Sequence, residues 1–195
     1  MARSFDYIVV GAVSAGCVLA SRLSEDKDIS VLVLEAGGGD RHPLLRLPIA
    51  WPMAAYKPDV NWGYETEPEP QLGGRTIPLP RGKVLGGSST INGMGYKRGH
   101  PRDYDQWRQL GLDGWSYADV LPYFKRSEAS WRGDNTYHSA SGPLSVRKGG
   151  APQILYEPLA EAVAAAGYKA TDDISGADPE GLFVTELTVD GFGRR

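Results

Sequence analysis

Cysteine is almost absent from this 195-residue chain, where Cys17 stands alone. A single thiol excludes an intramolecular disulfide framework and a cysteine-rich zinc site, and it fits a reducing compartment. No run comes near the roughly 18 apolar residues that a membrane-spanning helix needs. The opening residues, MARSFDYIVVGAV, lack the apolar stretch and small-residue cleavage site of a signal peptide, because Asp6 leads straight into a strand-like run. A cytoplasmic location is therefore expected. Neither sign of charge is in excess: 21 basic and 24 acidic residues leave -3, with no long like-charge run. That removes the electrostatic ground for nucleic acid or an anionic membrane as the main partner. Histidine is also scarce. His42, His100 and His138 lie in loop-like sequence without metal-ligand spacing, so they read as solvated or capping side chains, and no metal site is expected.

Glycine and proline are plentiful, at 25 and 14 residues, about a fifth of the chain against an ordinary share of about 12%. They cluster at Gly11 and Gly16, at Gly37 to Gly39, through the tract from Pro43 to Pro80, and at the pairs Gly86-Gly87 and Gly149-Gly150. Such clusters mark sharp turns and close backbone approaches, which a ligand site needs more often than a helical bundle does.

The run YIVV at Tyr7–Val10 is apolar almost throughout, as a strand covered on both faces would be. Residues 14–23 carry Ala15, Val18, Leu19 and Leu23 at helical spacing, and residues 30–34 (SVLVL) form a second buried-type strand ending on Glu35. Strand, glycine turn, helix and strand within about 30 residues make the βαβ unit of a parallel sheet. Eight prolines between Gly37 and Arg81 forbid long helices there, so loops are expected. Two short strands at 62–66 and 75–79 would flank a hairpin turned by Gly73-Gly74. Helices are expected at 88–93, 101–109, 117–126 and 152–166, and a strand at 182–189. In 152–166, Leu155, Leu159, Ala162, Val163 and Ala166 would form a buried stripe, with Gly167 as the stop and Pro158 either kinking the helix or lying near its start. The chain stops at GFGRR after a strand and a turn. It reads either as a small α+β domain or as part of a larger α/β protein.

A dinucleotide fold needs glycine at three places between its first strand and helix. Gly11 and Gly16 fill the first and third, but the middle position is Val13. Glu35, 19 residues beyond Gly16, stands where a carboxylate accepts the hydroxyls of an adenosine ribose. The branched Cβ of Val13 would crowd the pyrophosphate, and a positive φ there would cost on the order of 1 to 3 kcal/mol. Weaker dinucleotide binding than in a Val13→Gly version is expected. A second motif, RGKVLGGSSTINGMGYKRG from Arg81 to Gly99, joins two adjacent glycines, two small hydroxyl residues and an Asn-Gly pair. Its amides could face an anion or a flat ring, and Ser88 and Ser89 read as caps of the following helix. Cys17 reads as a small buried hydrophobe, Trp107, Trp115, Tyr123 and Phe124 as packing under helices, and Asp172-Asp173 as a solvated turn. No Gly-x-Ser-x-Gly elbow accompanies Ser88-Ser89, so no serine nucleophile is expected.

Taken together, YIVVGAVSAG, LVLEAGG, NWGYETEPEP and GKVLGGSSTINGMGYKRG, followed by Asp103-Tyr104-Asp105-Gln106-Trp107, resemble the glucose-methanol-choline (GMC) flavoprotein oxidoreductases. The choline dehydrogenase and alcohol dehydrogenase branch is the most similar. The resemblance runs through WSYADVLPYFKRSE, YHSASGPLSV and TELTVDGFGRR, and so covers essentially the whole chain. It implies an α/β, Rossmann-like FAD-binding domain, incomplete, with irregular Pro/Gly-rich excursions, over residues 1–150, and the start of a substrate domain over 151–195. It further implies that Gly11, Ala12, Ser14, Ala15 and Gly16 hold the FAD pyrophosphate region and that Glu35 and Ala36 hold the adenosine. Val84, Gly87, Asn92, Gly93, Met94 and Gly95 would line the flavin side. Some relatives bind flavin covalently through a histidine in this motif. Ile91 in that place implies a non-covalent flavin. The implied reaction is hydride transfer from a small-molecule primary alcohol, choline among the candidates, to FAD. The histidine that takes the alcohol proton would lie beyond Arg195, so no catalytic residue is expected within this chain and it should not turn over by itself. Two other readings stay open at this level: a nicotinamide-dependent dehydrogenase with the same βαβ start, and a non-catalytic product that binds nothing.

Overall fold

The structure is a computed structural model that describes residues 4–150 and 155–195. The chain divides into two compact units, Met1–Met94 with Gly193–Arg195, and Gly95–Phe192.

In the first unit the YIVV run forms strand β1 (Tyr7–Val10), the glycine turn leads into helix α1 (Ser14–Leu23), and VLVL forms β2 (Val31–Leu34). The two strands pair in parallel, from Tyr7 opposite Val31 to Val10 opposite Leu34, as a βαβ crossover requires. Val9 is buried, but Ile8 is 59% and Val10 82% exposed, which corrects the expectation of strands covered on both faces. The reason is geometric. Among the described elements α1 alone packs extensively on this strand pair, and one helix covers one face.

The proline-rich stretch also differs from expectation. It contains helices α2 (Pro43–Arg46) and α3 (Trp51–Ala55), with 3₁₀ turns at Pro48–Ala50 and Pro58–Val60, where loops were expected. Each of these turns carries a proline in its first two positions, where no intrahelical partner exists for an N–H and the fixed φ is already helical. Proline here starts helical turns and keeps them short. Strands β3 (Tyr64–Glu65) and β4 (Pro78–Leu79) pair antiparallel, as the hairpin reading requires, over a shorter span than 62–66 and 75–79. Leu45, Ala54, Val60, Val84 and Ile91 form the buried core of this unit.

Residues 88–93 do not form the expected helix. A single 3₁₀ turn covers Gly87–Thr90. Its hydroxyls bond to nearby backbone instead of capping: Ser88 Oγ accepts from the Gly82 amide at 3.0 Å, Ser89 Oγ donates to the Gly86 carbonyl at 2.6 Å, and Thr90 Oγ1 donates to the Leu85 carbonyl at 2.9 Å. Local bonds of this kind offer the backbone an alternative to helix.

The second unit contains β5 (Gly95–Tyr96), α4 (Pro101–Gln109), α5 (Tyr117–Ser127), β6 (Glu128–Ser130), β7 (Leu144–Lys148), α6 (Tyr156–Ala165) and β8 (Glu186–Leu187). The sheet runs in the order β5-β8-β7-β6, antiparallel except for the β7–β6 pair. α4 has the expected bounds and α5 extends one residue beyond them. Both begin on side-chain caps. The His100 ring accepts from the Arg102 amide at 3.1 Å, and Ser116 Oγ accepts from the Asp119 amide at 3.3 Å while Asp119 returns a bond to the Ser116 amide. Replacing Ser116 by alanine is expected to lower the stability of this unit by about 1 kcal/mol, read as a lower urea midpoint at unchanged m-value.

α6 starts at Tyr156, so Pro158 sits in its first turn. Its end is closed by Gly167, as expected, with the Tyr168 amide bonding back to the Val163 carbonyl at 3.0 Å. The expected start at 152 lies outside the described residues. The expected buried stripe is not buried, since Leu155 and Leu159 are exposed. The strand expected at 182–189 contracts to β8. Trp107, Trp115 and Tyr123 are exposed as well: Trp107 packs edge to face on Tyr104 and on Trp115, and helices do not cover them.

The centre of the second unit is charged. Glu128 and His138 are fully buried, which corrects the solvated or capping reading of His138. Glu128 Oε1 lies 2.7 Å from Arg98 Nη2 and 2.9 Å from His138 Nδ1, and Oε2 accepts from the Tyr96 hydroxyl at 2.7 Å. The other ring nitrogen of His138 lies 3.1 Å from the Asp173 carboxylate, so Asp173 belongs to this network and only Asp172 is solvated. Arg132 joins Asp173 to the buried Glu186, bonding the latter at 2.8 Å. Burial pushes the Glu128 carboxyl up, but the bonds from His138 and Tyr96 and the charge of Arg98 outweigh it and bring it down to about 2. Burial pulls His138 down, and its bond to Glu128 and the charge of Asp173 more than reverse that. Tyr96 is pushed up to about 12, chiefly by burial.

Candidate functional site

The turn between β1 and α1 is built by two glycines. Gly11 takes φ +92, a region that side chains rarely enter, and its amide bonds to the Leu34 carbonyl at 2.7 Å. Gly16 is buried on the first turn of α1, where a Cβ would overlap the Gly11 carbonyl oxygen. Close helix-to-strand packing is therefore obligatory here. Ala12 is buried between them, and Ser14 and Ala15 are exposed on the first turn of α1, whose leading N–H groups have no intrahelical partner.

Glu35 follows the last residue of β2 and turns back onto this loop. Its Oε2 accepts from the Ala12 amide and its Oε1 from the Gly37 amide, both at 2.8 Å. Two backbone donors fix the carboxylate in one orientation, and each oxygen keeps further acceptor capacity. The carboxylate borders an open cleft of about 460 Å³ lined by Val10, Gly11, Val13, Leu34, Glu35, Ala36, Trp62 and Gly82. Gly11, Glu35 and Ala36 were expected to meet here. Trp62 and Gly82 were not, although NWGYETEPEP and GKVLGGSSTINGMGYKRG, which contain them, carry the family resemblance. Trp62 arrives from the proline-rich excursion, stacked on Tyr64 and with Lys83 Nζ 4.8 Å from its ring centre.

The second motif meets the first directly. The Gly86 amide donates to the Ala12 carbonyl at 2.7 Å, Val13 bridges to Gly86, and Val13 Cγ1 lies 2.5 Å from where a Cβ on Gly87 would stand. Val84 is in the core rather than at a surface. Beyond the 3₁₀ turn, Asn92 Oδ1 accepts from the Met94 amide at 3.0 Å, Gly93 lies against Trp51, and the buried Met94 takes φ +60. Among the described residues Met94 is the one non-glycine residue at positive φ, a strained backbone of the sort that concentrates at ligand sites. Gly95, assigned to the same flavin-side group from sequence, opens β5 and falls in the second unit.

Two readings of the glycine turn change. Val13 takes φ −85 and ψ −173, ordinary extended backbone, so the expected strain is not there and only its side chain departs from the glycine pattern. Cys17 is exposed rather than buried, and its thiol donates to the Ala12 carbonyl at 3.3 Å. Neither His42 nor His100 is free: the His42 ring accepts from the Leu44 amide as His100 does from Arg102. Among the described residues, no group of histidine, cysteine and acidic side chains could hold a metal ion and no helix is long and apolar enough to cross a membrane.

A parallel βαβ unit with a glycine turn, and a carboxylate closing the end of its second strand, define a dinucleotide-binding fold of the Rossmann type. The particular kind follows from the whole chain. Residues 5–195 match the GMC oxidoreductase family model, and the chain belongs to that family. It is 50% identical over 186 residues to the oxygen-dependent choline dehydrogenase of Rhizobium etli, an alignment that takes in 94% of this chain and 34% of that protein. Among solved structures it is similar to pyridoxine 4-oxidase from Mesorbium loti, with a TM-score of 0.91 at 34% identity, over 98% of this chain and 38% of that one. A FAD-dependent oxidoreductase from Chaetomium thermophilum is similar with a TM-score of 0.84 at 31% identity, over 97% and 34%. The chain thus spans about a third of the length of the curated relatives it matches and covers part of the full-length fold. FAD is the cofactor of the family's N-terminal domain.

Proposed function

We propose that this chain supplies the adenosine-binding corner and the glycine loops of a FAD-dependent alcohol oxidoreductase of the choline dehydrogenase type, acting in the cytoplasm on a small primary alcohol. The single cysteine suits that reducing setting. The observation that carries the reading is Glu35: a carboxylate fixed by two amides, at the end of β2, facing a cleft beside a glycine turn. Its residual lone pairs suit the paired hydroxyls of a ribose, and Leu34, Ala36 and Trp62 offer apolar surface for an adenine. Gly11 to Gly16 would receive the diphosphate, with Gly11 and Gly16 shaping the turn and the first turn of α1 adding a partial positive charge. Residues 84–94 would lie toward the flavin, where the strained Met94 backbone bonds to the Asn92 side chain. Ile91 has no nucleophilic atom, so the flavin would be held non-covalently.

When bound, FAD supplies the hydride acceptor of the reaction. The chain's own residues bind and orient it. They do not move the substrate proton, since His42 and His100 cap helices and His138 is locked between Glu128 and Asp173. The partition of the family's architecture at residue 150, FAD-binding before and substrate-binding after, belongs to the same proposal.

Titrating the chain with FAD and following flavin fluorescence tests it. Saturable binding is expected, weakened about tenfold or more by Glu35→Ala, because a hydrogen bond to a charged group is worth roughly 1.5–3 kcal/mol. FAD binding that is indifferent to Glu35→Ala would overturn the placement of the adenosine, and its complete absence in the parent chain would overturn the function.

A further inference from the structure

Val13 interrupts the glycine pattern with a side chain, and the structure shows where that side chain goes. It is 41% exposed, lines the cleft beside Gly11 and Glu35, and has its Cγ1 seated on the bare Cα of Gly87. The position is over-determined. A β-branched side chain has few χ1 choices. The Val13–Gly86 bridge and the bond from the Gly86 amide to the Ala12 carbonyl fix the backbone on either side. The backbone therefore holds the isopropyl group at the cleft.

The two halves of an adenosine diphosphate group meet this cleft unequally. A ribose would meet Glu35, whose carboxylate is oriented by two amides at the edge of the cleft. None of the described residues lining the cleft is a lysine or arginine. A diphosphate would depend on the amides of the glycine turn and of the first turn of α1, and close approach of phosphate to that backbone is what the middle glycine of the pattern permits. Here an apolar branched group stands at that position.

We propose that Val13 sets the ligand preference of the cleft, making it a nucleoside site at which a diphosphate adds little affinity. The inference rests on the assignment of the cleft to adenosine. Calorimetric titration of the chain and of Val13→Gly and Val13→Ala variants with adenosine and with ADP tests it. The parent chain is expected to bind the two within about threefold of one another. Val13→Gly should tighten ADP about tenfold or more while leaving adenosine within about twofold, and Val13→Ala should fall between. A parent chain that already prefers ADP by tenfold, with a preference unchanged in Val13→Gly, would overturn the role of Val13 and leave the adenosine assignment standing. Adenosine and ADP both failing to bind any of the three proteins would overturn the assignment itself.

Discussion

Replacing Glu128 by glutamine is expected to destabilise the second unit by about 3–5 kcal/mol, the cost of removing one member of a buried ion pair and stranding the other. Glu128 is fully buried and receives Arg98, His138, Tyr96 and the Ser139 amide, so the substitution leaves the buried Arg98 guanidinium without its counter-charge. Chemical denaturation monitored by tryptophan fluorescence would read the loss, and a change under about 1 kcal/mol would show that the network is not coupled to folding. The same network should shape the pH dependence. With the exposed Asp172 set aside, the carboxylates of Glu128, Asp173 and Glu186 face the guanidiniums of Arg98 and Arg132, so one proton on His138 balances the charge.

The two titrations act in opposite directions. Glu128 is lowered to about 2, so its contribution is complete above its ordinary value of 4.5 and is lost as pH falls toward about 2. His138 is raised, so its contribution is complete below its ordinary value of 6.5 and is lost as pH rises through the folded value. Thermal stability should accordingly be greatest between these limits. A His138→Gln variant should lose the decline on the alkaline side and keep the one on the acid side, which paired melting curves across pH would resolve.

Gly16→Ala should produce the largest effect on the candidate site. The added methyl group would overlap the Gly11 carbonyl oxygen, an atom of the backbone that cannot rotate away. Either α1 retreats from β1 or the glycine turn opens, and overpacking of this kind costs about 1–3 kcal/mol. Because Gly11 and Ala12 move with the turn, FAD affinity should collapse along with the stability. Near-native melting with near-native FAD binding would refute the close packing of α1 on the turn.

How far these features could be foreseen depended on how local they are. β1, α1 and β2 follow from apolar runs, helical spacing and one glycine turn within 30 residues, and the structure places them almost where those patterns do. α4 was legible to the residue because His100, Pro101 and Asp103 spell its start within four positions. The direct contact between the two glycine motifs was not foreseen: the resemblance to the GMC family assigned them to different parts of one FAD, and nothing local joins Ala12 to Gly86. The buried charge network was not legible at all. Arg98, Glu128, His138, Asp173 and Glu186 come from five separate places in the chain, and each alone resembles an ordinary surface residue. Proline misled for a physical reason, because the ring that breaks the interior of a long helix is well suited to opening a short one.

Arg195 carries a consequence for the order in which the molecule assembles. Its guanidinium reaches the carbonyls of Thr90 and Asn92, its amide bonds to the Arg46 carbonyl, and it clusters with the first unit although the whole of the second intervenes. During vectorial synthesis the Thr90 carbonyl must wait for a partner 105 residues downstream. A loop of that length closes at an entropic cost on the order of 4 kcal/mol if its interior is still random. Prior collapse of the intervening segment shortens the wandering stretch, so late docking of Gly193–Arg195 is the favoured route, and Arg195→Ala should slow completion of the first unit, read in refolding kinetics, while sparing the segment between.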